Sequence, residues 1–203
     1  MRLIDPTVVL DHLAKENSTD NLLAATSAVE LATAACEARL STSFNAGTAV
    51  DVMYITSSMP LGLTAFQTRL LASRGFITSA SLTTVKALGV AKFGTDEETA
   101  LTNVVINYDK GIVTLVDDDL TGYYVKLSYS YGFANTGGLY TGAPEWLQEA
   151  CKLMALMTLI SGPNPTITEK KDVVESTPKA LATQFETIMA QNIRYAPGAA
   201  MPL

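Results

Sequence analysis

The hydrophobic period changes twice along the chain. Up to about residue 45 apolar residues recur at helical spacing, from about 46 to 135 they alternate, and from 136 onward the helical spacing returns. A helix buries a stripe that repeats every 3.6 residues, whereas a strand buries every second residue. Blocks of each kind, rather than short alternating units, point to an α+β layout and not to βαβ repeats. The expected architecture is a small helical bundle, an N-terminal helix pair plus C-terminal helices, with an inserted antiparallel β-meander or sheet. Its parts are residues 1–45, the β-rich insertion 46–135, and residues 136–203, which end in an extended tail. Together they form one composite domain.

The helical ends are well punctuated. In "LIDPTVVLDHLAKE" Asp5 suits an N-cap and Pro6 the first helical position, where its missing N–H costs nothing. Ile4 and Val9 are spaced for a hydrophobic staple. A longer helix runs from about Asp20 to Leu40. Leu22, Val29, Cys36 and Leu40 form one face, and Ala24, Ala28, Leu31 and Ala35 a second, so burial on two sides is expected. Pro144 opens "PEWLQEACKLMALMTLI", apolar nearly all round in its second half, with Leu153 and Met157 as costly truncations. Thr177 and Pro178 start a last helix with a stripe of Leu181, Phe185, Ile188 and Met189.

In the middle block "TAVDVMYIT" alternates, with Val50, Val52 and Tyr54 on one side. "RLLASRGFI" and "LTTVKALGV" read as strands. "LTNVVINY", the turn "DKG", and "IVTLV" follow. "YYVKLSYSY" places Tyr123, Val125, Leu127, Tyr129 and Tyr131 on one face and Tyr124, Lys126, Ser128 and Ser130 on the other. "GFANTGGLYTGA" reads as a flexible, glycine-rich connection.

Charge narrows the function classes. The 203 residues carry a net −6, and only 17% are charged against a typical quarter. Residues 94–122 hold Asp96, Glu97, Glu98, Asp109, Asp117, Asp118 and Asp119 against Lys110 alone, so this segment accounts for the whole net charge. Without a basic stripe, nonspecific gripping of phosphates is disfavoured. A surface poor in charge suggests that much of it is covered, most simply by other copies.

No constellation points to catalysis, and no enzyme activity is expected. Adjacent Asp117, Asp118 and Asp119 point to alternate sides of an extended segment and lack the spacing of a calcium loop, so they read as a solvated turn. His12 is the only histidine, and no G-x-S-x-G elbow is present. Cys36 and Cys151 are too few for a zinc site and read as buried small hydrophobes. The tyrosines of "YYVKLSYSY" fit cross-strand packing better than a carbohydrate platform. No cofactor or metal is expected. The chain lacks a basic start followed by an apolar core and a 20-residue apolar run, so a soluble, non-secreted, membrane-free protein is expected. The end, "IRYAPGAAMPL", with Ile193, Arg194, Tyr195, Pro197, Met201 and Leu203, reads equally as a frayed terminus or, being unusually apolar, as a partner-docking arm.

The sequence also carries a family signature in four quoted stretches. These are the Pro-capped first helix, "LLAATSAVELATAACEARLSTSF", "INYDKGIVTL", and "VKLSYSYGF" leading into "APEWLQEACKLMALMTLI". In this order they resemble the head–tail connector, or adaptor, proteins of tailed bacteriophages. The matching residues are Tyr129, Gly132, Phe133, Pro144, Leu147 and Ala150, and the resemblance covers roughly residues 3–45 and 100–160. It implies a structural virion protein in the neck between capsid and tail, assembled in host cytoplasm. It further implies a homo-oligomeric ring, usually twelve-fold, that meets the portal protein and a downstream neck or tail-completion protein and passes DNA without sequence-specific binding. Under that reading Asp117, Asp118 and Asp119, with Asp96, Glu97 and Glu98, become channel or interface acids. The alternatives are another ring-forming tail-completion protein, or a metal- or carbohydrate-binding module.

Overall fold

A computed structural model of the chain describes residues 1–60, 66–86, 99–117, 119–161 and 178–193. It is an α+β fold: helices at both ends and antiparallel sheets between them. The chain divides into two compact units. Among the described residues the first combines Met1–Thr42 with Phe133–Ile193, and the second is Ser43–Gly132. No helix among the described residues is long and apolar enough to cross a membrane.

The first unit contains α1 (Pro6–His12), α2 (Thr19–Leu40), α3 (Glu145–Ser161) and α4 (Pro178–Asn192). Local chemistry sets the helix ends. The Asp5 carboxylate accepts the Thr7 N–H at 2.9 Å and the Thr7 hydroxyl at 2.7 Å, with Pro6 following the cap. Ile4 and Val9 are both buried, as a staple requires. Ser18 caps α2, accepting the Asn21 N–H at 3.3 Å. The Pro144 carbonyl accepts from Leu147 and Gln148 at the start of α3. The cap expected of Thr177 lies outside the described residues.

Apolar stripes then pack the helices. α3 buries Leu147, Ala150, Cys151, Leu153, Ala155, Leu156 and Leu159. α4 buries Leu181, Phe185 and Met189. Each fully buried Leu or Met contributes roughly 1.5–3 kcal/mol. Met157 is only half-buried, so Leu147 and Leu156 are the larger anchors of α3. On α2 the Val29–Cys36–Leu40 face is buried as expected, but the second face is not. Ala28 is covered and Ala24 and Ala35 are half-buried, whereas Leu31 is 62% exposed. Helical spacing identifies an apolar stripe but does not supply an element to cover it.

Between Gly132 and α3 the glycine-rich segment is an ordered hairpin rather than a flexible connection. β9 (Ala134–Thr136) pairs with β10 (Leu139–Thr141). Gly137 and Gly138, at φ 59° and 81°, form the two-residue turn, a conformation other residues adopt only with strain. The N-terminus joins this hairpin. Arg2 N–H donates to Gly138 O at 3.0 Å, and Tyr140 N–H donates to Arg2 O at 2.9 Å.

The second unit holds two four-stranded sheets. Their strands are β1 (Gly47–Tyr54), β2 (Met59–Pro60), β3 (Phe66–Leu71), β4 (Ile77–Lys86), β5 (Thr99–Ala100), β6 (Val104–Asn107), β7 (Ile112–Asp117) and β8 (Tyr123–Tyr131). One sheet has the order β1-β8-β4-β5 and the other β2-β3-β7-β6, antiparallel throughout. The sequential hairpins of a meander are therefore only partly present. β6 and β7 form one, whereas β7 and β8, flanking the aspartate run, lie in different sheets. "RLLASRGFI" likewise spans the end of β3, a turn and the start of β4. Inner faces of both sheets meet in one core that includes Met53, Ile55, Leu70, Val113, Leu115, Val125 and Leu127. The alternation expected of β8 holds, with Val125, Leu127 and Tyr129 buried. On β1 the apolar residues Val50, Val52 and Tyr54 share the outward face, and Asp51 and Met53 point in.

Candidate functional site

The aspartate run sits where β7 leaves one sheet and the chain enters β8 of the other. Asp119 makes the turn. Its Oδ1 accepts the Thr121 N–H at 2.9 Å and the Thr121 hydroxyl at 2.6 Å. The Thr121 hydroxyl, then its N–H, hold the Asp119 carboxyl below the usual range. Gly122, at φ 85°, donates to Ile55 O at 2.9 Å, and Tyr123 donates to Leu120 O at 3.0 Å. Leu120 is buried in the core, so the turn is pinned beneath while Asp119 stays exposed. Asp117 ends β7 and pairs through its backbone with Phe66. Asp118, Asp96, Glu97 and Glu98 lie outside the described residues. Among the described residues no group of three His, Cys, Asp or Glu is placed to hold a metal ion.

A polar cluster around Asp51 was not anticipated from sequence. Asp51, on β1, is buried. Its Oδ2 accepts the Ser73 N–H at 2.6 Å and the Tyr129 hydroxyl at 2.9 Å, and its Oδ1 accepts the Ser73 hydroxyl at 2.8 Å. The Tyr129 oxygen in turn accepts the Arg74 N–H at 3.0 Å. Burial, foremost, pushes the Tyr129 hydroxyl above its ordinary pKa. A buried carboxylate is tolerated because both of its oxygens accept hydrogen bonds. The cluster joins β1, β8 and the turn between β3 and β4, and so fixes how the two sheets are linked. These hydrogen bonds clamp Ser73 and Tyr129 to the Asp51 carboxylate. The available signal was Asp51 in phase with Met53 and Ile55, a charge at an inward strand position.

In the first unit Thr33 plays the comparable part. Its hydroxyl donates to Val29 O at 2.9 Å, accepts the Leu3 N–H at 3.1 Å, and lies 3.6 Å from the Cys151 sulfur. Cys36 and Cys151 are buried free thiols. Desolvation pushes Cys151 up to about 11 and Cys36 higher still, so both are inert thiols at neutral pH. His12 is exposed on α1. A groove of about 300 Å³ lies among Asp5, Val8, Tyr140, Glu145 and Glu149. Asp5 serves as a cap there, and Glu149 is paired to Lys152 at 2.5 Å.

The tyrosines divide between packing and clamping. Tyr54 and Tyr124 are cross-strand partners with ring centroids 5.1 Å apart, and Tyr129 and Tyr131 lie 6.2 Å apart. Arg74 stands 5.8 Å from the Tyr131 ring centroid. Of the tail, Ile193 is 39% exposed just beyond α4, and Arg194, Tyr195, Pro197, Met201 and Leu203 lie outside the described residues. No protein-family model and no curated protein matches the chain.

Proposed function

We propose that this chain is a structural virion component of a tailed bacteriophage: a ring-forming head-to-tail adaptor that docks on the portal and continues the DNA channel. The carrying observation is the arrangement of the resemblance residues. β8 runs through Tyr129 to a turn at Gly132, φ 82°, and Pro144 leads into the apolar α3 of a bundle interrupted by antiparallel sheet. At Gly132 a Cβ would overlap the Asn45 carbonyl, so this turn is specific to glycine. The polar clusters hold the fold together, which suits a building block better than a catalyst.

Under this reading the acids of residues 96–98 and 117–119 line or rim the channel or its interface. Carboxylates there repel phosphate backbones and let DNA pass without being held. The tail from Ile193 to Leu203 docks on a neighbouring subunit or on the portal.

Electron microscopy of the full chain, alone and with portal from the same virus, tests the proposal. Rings that seat on portal assemblies are expected. Rings that ignore portal but join tails favour a tail-completion protein. Monomers that never join a particle, with melting raised by Ca²⁺ or Mg²⁺, overturn the proposal in favour of a metal-binding module.

A further inference from the structure

An unpaired sheet edge is a template for another strand, and proteins blunt such edges by shortness, proline, charge or bulges. Three of the four edge strands in the second unit are blunted. β2 has two residues and ends in Pro60, β5 has two, and β6 has four. β1 differs. Its eight residues pair with β8 along their whole length without a bulge, and no other described strand lies on its far side.

The ladder shows which groups face outward. Ile55 N–H donates to Tyr123 O at 2.9 Å. Antiparallel alternation then directs Met53, Asp51 and Ala49 at β8, and the N–H and C=O of Tyr54, Val52, Val50 and Thr48 away from it. Among the described residues no backbone group meets these four on that side. None is charged and none is proline. Val50 is 61% exposed, and Tyr54 39%. The strand's one charge, Asp51, points inward, where it accepts three hydrogen bonds.

We propose that the outer edge of β1 is a strand-addition site whose occupant is β1 of a second copy of this chain, antiparallel, with the two Val50 residues opposite each other. An edge without charge gives no purchase to a charged peptide, but it complements itself. Centring on Val50 sets Thr48 against Val52, both β-branched, and Asp51 against Ala49. Centring on Asp51 would face two buried carboxylates, and centring on Val52 would overlap only residues 50–54. The favoured register forms about six inter-chain hydrogen bonds and joins two four-stranded sheets into one. A strand pair alone covers less than the roughly 1,200 Å² of a standard stable interface, so the dimer is concentration-dependent. The contact is two-fold and closes on itself. It is separate from the heterologous contacts of a ring and does not depend on that reading.

Sedimentation velocity on the full chain over a concentration series tests it. The wild type moves from monomer to dimer. Val50→Pro removes an outward N–H and no bond to β8, so it stays monomeric at the same concentrations with nearly unchanged melting. A second arm holds if that variant folds poorly. Val50→Cys yields a covalent dimer on mild oxidation, because paired Cα atoms lie about 5.5 Å apart, within disulfide range. Tyr54→Cys does not, since its two copies would stand about 27 Å apart. The buried Cys36 and Cys151 stay out of the reaction. A wild type monomeric throughout, a dimer untouched by folded Val50→Pro, or equal cross-linking at both positions overturns the proposal. Rings that persist in Val50→Pro while the dimer is lost support it and separate it from ring formation.

Discussion

The two units bury polar groups by different logics. The helical unit, Met1–Thr42 with Phe133–Ile193, relies on apolar stripes, and its Thr33 hydroxyl bonds mainly within its own helix and to Leu3. The β unit, Ser43–Gly132, buries a carboxylate whose partners come from positions 22 and 78 residues away. In the first, local periodicity does most of the work of specifying contacts. In the second, specificity comes from a long-range clamp that decides which strands cross between sheets.

Core truncation should have the largest effect and should not distinguish the units. Leu156→Ala and Leu127→Ala each remove a fully buried side chain, and each should lower unfolding free energy by about 2–5 kcal/mol in urea titrations. A much smaller loss for Leu127→Ala would mean that the β core collapses around the gap. Next comes the clamp. Tyr129→Phe strips one donor from Asp51, and a loss of about 1–3 kcal/mol is expected. A double-mutant cycle with Ser73→Ala should show coupling of about 0.5–3 kcal/mol. Additive losses would break the picture of one cooperative cluster. Thr33→Val, which leaves the Leu3 N–H unmatched, should cost about 1–2 kcal/mol. If it equals the Tyr129→Phe loss, the contrast between the units weakens.

Acid titration supplies the smallest effects. The Thr7 hydroxyl, then its N–H, hold Asp5 below the usual carboxylate range. A depressed folded pKa contributes stability that is present above the unfolded value, near 3.9, and lost as pH falls through the folded one. Asp5→Asn should therefore lower the melting temperature modestly at pH 7 and flatten the acid limb of the profile, the difference from wild type vanishing as pH falls through the folded value. Asp119→Asn should act the same way, since that exposed carboxylate is likewise held by a hydroxyl and an N–H, both from Thr121.

What was legible follows the same division. Asp5 and Pro6 announced α1 because capping is a local matter, and Val125, Leu127 and Tyr129 announced the inner face of β8 because alternation is local too. On β1 Val50, Val52 and Tyr54 share one side as the alternation implies, but that side faces outward and the charge faces in. Only the later positions Ser73 and Tyr129 make that arrangement favourable, and no local pattern reports them. The 134–141 hairpin carried its signal in Gly137–Gly138, two residues between short β-prone segments. Of the aspartate run, Asp119 stands at a turn while Asp117 still ends β7, and the place of that turn between two sheets rather than within a meander depends on strand order, which residue spacing does not encode.

The split make-up of the helical unit has a consequence during synthesis. Residues 43–132 are synthesised before any of Phe133–Ile193, so the β unit has a head start in folding. At roughly 5–20 residues per second, α1 and α2 wait several seconds for α3. Through that interval Val9, Val29 and Cys36, fully buried in the finished protein, lack part of their cover. The nascent chain passes through a stage with a fully synthesised β unit and a sticky helical pair, the stage at which a chaperone has most to do.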